Sequence, residues 1–311
     1  MCVISWFIGG PLLYFALALF CFKTITTILR FLRMPRHLRW DLYPVPHQGP
    51  EGSKYQKVDF GELKPHISLY HELKEMSQEM LFIKRAFIHN PKVWKGSFPL
   101  HMGLYLGVSW LALLTVGAML EINGIQVASS AATPVMLLYY LTLFTGVGSF
   151  VAGLYGSLVL LWLRTFDADL RFISDYVSFL NLALLICLFG TGLAAWGLAD
   201  SSFAIIRQHI SGVLLLNPAA IPSSLSAASV LLFCLFLIYL PFSRMMHFVG
   251  KYFFYHNIMW DDEMMKGNRQ MENDIAAYLD YRPTWSAPHI RKGGSWGEQA
   301  GGGLPQEGEQ K

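Results

Sequence analysis

Charge is scarce in this chain. Of its 311 residues only 14 % are Asp, Glu, Lys or Arg, against about 25 % in soluble domains. Hydrophobic residues reach 53 %, and the mean hydropathy is +0.38. That balance excludes an ordinary soluble enzyme and excludes disorder over most of the chain. The formal net charge is +3, which argues against nucleic acid as a partner. Cysteine is sparse too: Cys2, Cys21, Cys187 and Cys234. None forms a C-x-x-C pair, which argues against an iron–sulfur cluster, a zinc site or a disulfide framework. They read as small buried hydrophobes. Walker and Rossmann glycine patterns, G-x-S-x-G and internal repeats are all missing.

What the chain has is long apolar runs. A bilayer core needs about 20 mostly apolar residues per helix. Five segments qualify, at about 4–28, 98–120, 134–163, 173–198 and 225–247. The expected fold is an all-α membrane bundle of five helices. The first span lacks a charged lead and a small-residue cleavage site, so it reads as a span and not a signal peptide. The spans lack internal acidic residues and show no inverted repeat, which disfavours a transporter.

Basic residues set the expected orientation. Arg30, Arg33, Arg36, Arg39 and eight more lie between spans one and two, up to Lys95. Arg164 and Arg171 lie between spans three and four, and seven Lys or Arg, from Lys251 to Lys311, follow span five. The other two connections carry only Arg207. The positive-inside rule then puts the N-terminus outside and the C-terminus inside a multi-pass protein of the cytoplasmic membrane. The expected layout is a first transmembrane helix (1–31), a cytoplasmic loop (32–97), spans two to five (98–247) and a cytoplasmic tail (248–311). The loop opens with a Pro- and Gly-rich extended stretch. It continues, from about Ile67 to Ile88, as an amphipathic helix with Leu69, Leu73, Met76, Met80 and Phe87 on one face. Pro91 stops that helix. It either rests on the membrane surface or docks a partner. The tail after about Asp261 is polar and reads as flexible unless a partner orders it.

Ten histidines remain to be sorted. His37, His47, His66, His71, His89, His256 and His289 lie in polar segments and read as solvated or interfacial. His209, in IIRQHISG, reads as structural within a short interfacial helix. His101 opens span two and His247 closes span five. An ionisable group in a span is costly and marks a candidate functional site. Both sit at the inner end, at similar depth. Two neutral imidazoles on facing helices can fill both axial positions of one b-type haem iron. A capping or snorkelling histidine at each end is the alternative.

Two stretches carry a family resemblance. Leu240-Pro-Phe-Ser-Arg-Met-Met-His247 resembles the last span of the gamma subunit of respiratory nitrate reductase, where Pro-Phe-Ser-Arg-x-x-His ends in a haem ligand. Phe98-Pro-Leu-His101-Met-Gly resembles that family's second span, where a His ligates the same haem. The loop Met34–His47 and the tail Thr284–Ile290 are more similar to a subgroup. These are the membrane cytochrome b subunits of sulfate-reducer redox complexes, including the sulfite-reductase-associated and transmembrane electron-transfer complexes. The resemblance implies one haem b on His101 and His247. It further implies electron exchange between a menaquinone pool and a cytoplasmic iron–sulfur, heterodisulfide-reductase-like subunit, with a periplasmic multihaem cytochrome c as a further partner. The family's second haem has ligands at positions that here hold Leu111 and Ser229, neither of which ligates iron. A ten-residue step is about 15 Å, so half the membrane is left without a haem.

Arg244, one turn before His247, reads either as a haem-propionate partner or as an inner-face charge. Quinone-contacting residues are weakly marked: Arg85, His89 and Lys95 at the inner end, Glu121, Asn123 and His209 at the outer. A quinone beside His101 and His247 is favoured, because it avoids the long gap. A haem-free membrane anchor that recruits a cytoplasmic redox partner is the alternative function.

Overall fold

A peptide group in hydrocarbon must find its hydrogen bonds within the chain, and a helix supplies them all locally. The computed structural model describes residues 2–33, 69–254 and 269–301. The extended loop stretch, with His37, His47 and His66, and His256 of the tail lie outside the described residues. The helices are α1 (Cys2–Phe7), α2 (Leu13–Leu32), α3 (Leu69–Phe82), α4 (Lys84–His89), α5 (Pro91–Ile122), α6 (Thr133–Phe166), α7 (Ala168–Phe172), α8 (Tyr176–Leu198), α9 (Ala204–Leu214), α10 (Ser224–Tyr239), α11 (His247–Phe254), α12 (Arg269–Leu279) and α13 (Trp296–Gly301). No β-ladder forms among the described residues; Ala287 and Ile290 make one isolated bridge.

Five segments are long and apolar enough to cross a membrane: Val3–Leu32, Pro91–Ile122, Thr133–Phe166, Tyr176–Leu198 and Ser224–Phe242. The chain is a multi-pass, all-α membrane protein. At 1.5 Å per residue, α5 and α6 run about 50 Å, well beyond a hydrocarbon core of about 30 Å. Span two therefore starts seven residues earlier than Phe98, at Pro91, with Asn90 as its cap accepting from Val93 N at 3.2 Å. Asp167, Asp175 and Ser223 cap α7, α8 and α10 in the same way.

The chain divides into two compact units, Met1–Thr26 with Leu73–His247, and Thr27–Glu72 with Phe248–Lys311. In the first, α5 packs along α6, α6 on α8, α8 on α10, and α10 on the π-helical turn Ile8–Leu12 that joins α1 to α2. Leu100, Leu114, Phe150, Leu185, Phe189 and Phe236 form its main core. The α5–α6 seam is unusually close. A Cβ on Gly103 would strike the backbone of Gly153 and lie 2.9 Å from the Ser149 carbonyl oxygen. Ser149 Oγ donates to the Gly103 carbonyl across the same seam at 2.7 Å. Small residues take the place of hydrophobic driving force, which lipid does not supply.

Three expectations change. The single amphipathic helix is two, because Ile83 is left-handed at φ 52°. The Glu79 carboxylate accepts from Arg85 N at 2.9 Å and starts α4 afresh. Helix α10 ends at Tyr239, since Pro241 cannot continue it. Short 3-10 turns at Leu240–Phe242 and Arg244–Met246 follow, so His247 opens α11 and does not close span five. Finally, the tail has local order between Arg269 and Gly301. In this second unit Pro283 is fully buried, Trp296 N donates to the Tyr281 carbonyl at 3.1 Å, and Arg282 pairs with Glu298 at 3.4 Å. Backbone turns and a few polar bonds order it, where composition showed only the missing core.

The seam makes a prediction. Gly103→Val should destabilise the bundle by about 3 kcal/mol, because the atoms it strikes are backbone and cannot yield. Gly197→Ala, with nothing within 4 Å of its Cβ, should be neutral. Thermal unfolding of the detergent-solubilised chain measures both.

Candidate functional site

Helix α5 and the turn after α10 meet at one end of the bundle. There the His101 and His247 ring centroids are 6.0 Å apart, with the ring planes at 68°. His101 Nδ1 lies 2.7 Å from the Ser97 carbonyl oxygen. His247 Nδ1 lies 3.0 Å from the Arg244 carbonyl oxygen. A carbonyl can only accept, so each Nδ1 carries a proton, and in the neutral ring the lone pair is on Nε2. That is the tautomer a metal ligand needs. Metal–imidazole bonds are about 2.0 Å, so one iron bonded to both Nε2 atoms sets the centroids about 6 Å apart. Donor type, tautomer and spacing fit a bis-histidine haem iron. No group of three or more His, Cys, Asp or Glu that could hold a metal ion occurs among the described residues.

Arg244 contributes in a way that spacing did not reveal. Its carbonyl orients His247. Its guanidinium, 71 % exposed, pairs with Asp175 at the start of α8. The Asp175 carboxyl is held below its ordinary value, first by the side-chain and backbone hydrogen bonds from Ser178 and then by Arg244. Arg85 and His89 lie on α4 and Lys95 on the first turns of α5. Cys21 and Cys187 are exposed, against the expectation of buried hydrophobes; Cys234 is buried, with its sulfur 4.0 Å from the Ile8 carbonyl oxygen. Apolar span surfaces face lipid in this fold, so a small hydrophobe there need not be buried.

The opposite end of the bundle is tied by α9. Arg207 is 4 % exposed, its Nε 2.7 Å from Glu121 Oε1, and its Nη2 donates to the Val127 carbonyl at 3.0 Å. His209 is 6 % exposed, and its Nε2 lies 3.0 Å from the Gly9 carbonyl oxygen. The Gly9 carbonyl lies in the π-helical turn Ile8–Leu12, which contains Pro11. A Cβ on Gly9 would run into the His209 ring. Tyr14 Oη donates to the Val213 carbonyl at 2.8 Å. His209 is thus tied to the π-helical turn through the Gly9 carbonyl. Asn123 Nδ2 bonds its own helix at Met119 O, 2.8 Å. Arg207 and Glu121 were legible only as isolated charges. They are the lone base and one of two acids at this end, and their isolation was the signal for a pair.

A scan of protein-family models finds no match, and neither do searches of curated proteins and of solved structures.

Two outcomes follow from the α9 end. Glu121→Leu leaves Arg207 buried and unpaired, and should cost about 3 kcal/mol; Glu121→Leu with Arg207→Met should cost less than the single change. Unfolding midpoints give both. Burial pushes the His209 pKa below its ordinary 6.5, outweighing the carbonyls of Gly9 and Ala219, which favour the charged form. The unfolded chain therefore takes up the proton first. The stability from neutral His209 is complete above about pH 6.5 and is lost as pH falls below it. The melting temperature should fall more steeply from pH 7 to pH 5 in the native chain than in His209→Gln.

Proposed function

We propose that this chain is the membrane b-type cytochrome subunit of a respiratory complex. In that reading it is the electron-transfer subunit of a quinone-linked oxidoreductase, exchanging electrons between the menaquinone pool and a cytoplasmic-side iron–sulfur subunit. The observation that carries the reading is the 6.0 Å spacing of the His101 and His247 rings, each with Nδ1 tied to a carbonyl three or four residues before it. The motifs around these two residues, and their resemblance to the nitrate reductase gamma subunit and the sulfate-reducer cytochromes, support the same assignment. His101 and His247 would hold the haem, which would supply a reversible one-electron carrier.

The protein's own residues set that carrier's surroundings. The Ser97 and Arg244 carbonyls hold the two imidazoles in one tautomer and one orientation, so little rearranges when charge changes. The Arg244 guanidinium, now on Asp175, is the cation best placed in sequence to meet a propionate. Lys92, which reaches Asp167 at 3.5 Å, and Arg164, which donates to Ser174 at 2.7 Å, cluster with it on one side of the spans. Arg207 at the other end is buried against Glu121. This asymmetry supports the histidine end as the cytoplasmic face and as a basic surface for an acidic iron–sulfur partner.

The purified native complex should contain one haem b per copy of this chain, with a low-spin reduced spectrum. His101→Ala and His247→Ala should each abolish that spectrum, and Arg244→Ala should retain it. Two haems per chain, or an unchanged spectrum in both histidine variants, overturns the reading.

A further inference from the structure

The first unit holds a cavity of about 210 Å³. Its wall starts at Leu104, one turn of α5 beyond His101, and ends at Asp200 and His209. Leu111 and Ser229, the positions without a second pair of haem ligands, both line it. So does Val108, which is 69 % exposed on the outside of the bundle, so the cavity reaches the lipid-facing surface. An apolar cavity of about 150 Å³ already takes a benzene ring. This one has room for a second fused ring.

Its polar groups without a partner can all donate a hydrogen bond. Ser226 and Ser229 stand one turn apart on α10, and both line the cavity. Neither hydroxyl has a hydrogen-bond partner among the described residues. That is unusual here. Thr115, Thr142, Ser157, Thr165 and Thr191 all donate to carbonyls of their own helices. The Trp110 indole N–H, in the same wall beside Gly146, is buried and also has no partner. The two acceptor-bearing side chains at the far end are committed, Asp200 to Ile206 N at 3.0 Å and His209 to the Gly9 carbonyl. Unmet donors in an apolar medium are costly. A ligand that answers them is flat, apolar and bears acceptors.

We propose that this cavity holds the headgroup of a lipid-borne naphthoquinone, which enters past Val108 and accepts a hydrogen bond from Ser229 or Ser226. An acyl chain would leave the hydroxyls unmet, and an anionic headgroup would find no counter-charge among the lining residues. The inference rests on the quinone-linked reading above and places the site. It does not lie beside both histidines: its near wall, at Leu104, is one turn from His101, and its far wall reaches the start of α10 at Ser226 and the α9 end at Asp200 and His209.

The test uses the native complex in lipid nanodiscs and an azido-naphthoquinone carrying one prenyl unit. Photolabelling should fall on 104–111 of α5 and 226–233 of α10. Ser229→Ala should weaken binding of the non-azido parent about fivefold, the worth of one hydrogen bond. Ser229→Phe should fill the space and abolish it, with the melting temperature unchanged. Labelling confined to the histidine end or to the lipid-facing surface overturns the site, as does undiminished binding in folded Ser229→Phe. The haem spectrum of the same samples separates the two readings. Cavity labelling without a haem spectrum removes the cytochrome reading and leaves the site standing. A haem spectrum with labelling elsewhere does the reverse.

Discussion

A polar group surrounded by hydrocarbon has no water to turn to, and every feature of the first unit follows from how this chain meets that constraint. The backbone meets it by being helical across each span. Threonines and serines meet it by folding back on their own helices, as Thr142 does on Leu138 O at 2.7 Å. Where helices must touch, the partner is on the neighbour: Ser149 on Gly103 O, and Tyr239 Oη on Asn181 Oδ1 at 2.7 Å. These bonds do not pull helices together more strongly than lipid competes. They fix which faces meet, and Gly103 and Gly153 then let the two backbones close to contact.

The same constraint treats the two ends differently. At the α9 end every buried polar side chain that ties the helix down is answered: Arg207 by Glu121 and Val127, His209 by Gly9, Asp200 by Ile206. Such groups specify one arrangement more than they add stability, because desolvating the ions offsets much of their attraction. At the other end, the Nδ1 of each histidine meets a carbonyl of its own chain segment, Ser97 for His101 and Arg244 for His247. The α9 network ties one helix to the rest of the bundle, whereas these local bonds orient two imidazoles that the packing brings to one place.

The sequence showed the five spans because their apolar runs outlast any soluble helix. It showed the histidine pair because antiparallel spans turn a position along the chain into a depth in the membrane. Lateral neighbours were not legible in that way. That α5 approaches the turn after α10 depends on packing, and the 6.0 Å spacing could not be derived from depth alone. Local breaks were also hidden. Pro241 and Ser243 stand inside an apolar run that reads as continuous, yet they end α10 and make His247 the first residue of a new helix. Ile83 carries no turn signal at all. Its left-handed backbone is held by Glu79 reaching the amide of Arg85, a tertiary arrangement that no propensity contains. The tail misled for the opposite reason: its composition cannot build a core, but Gly293, with φ +81°, and the Arg282–Glu298 pair need none.

In the proposed reading one haem leaves most of the bundle's length without a redox group, and this turns the loss of two ligands into a question of distance. A carrier level with Leu120 at the far ends of the spans would lie about 28 Å from His101 along α5. A carrier beside the histidines would be close, whereas the donor-lined cavity begins one turn away, at Leu104. It runs from Leu104 to the level of Asp200 and His209. Leu111 and Ser229 are small or flexible enough to leave that volume empty of side chain, where imidazoles would have filled part of it. A flat ring in the volume stands with one edge near the His101 turn and the other near the α9 network. In that reading Leu111 and Ser229, which stand where the resembled family holds its second haem, border the space that a mobile carrier would enter from the bilayer.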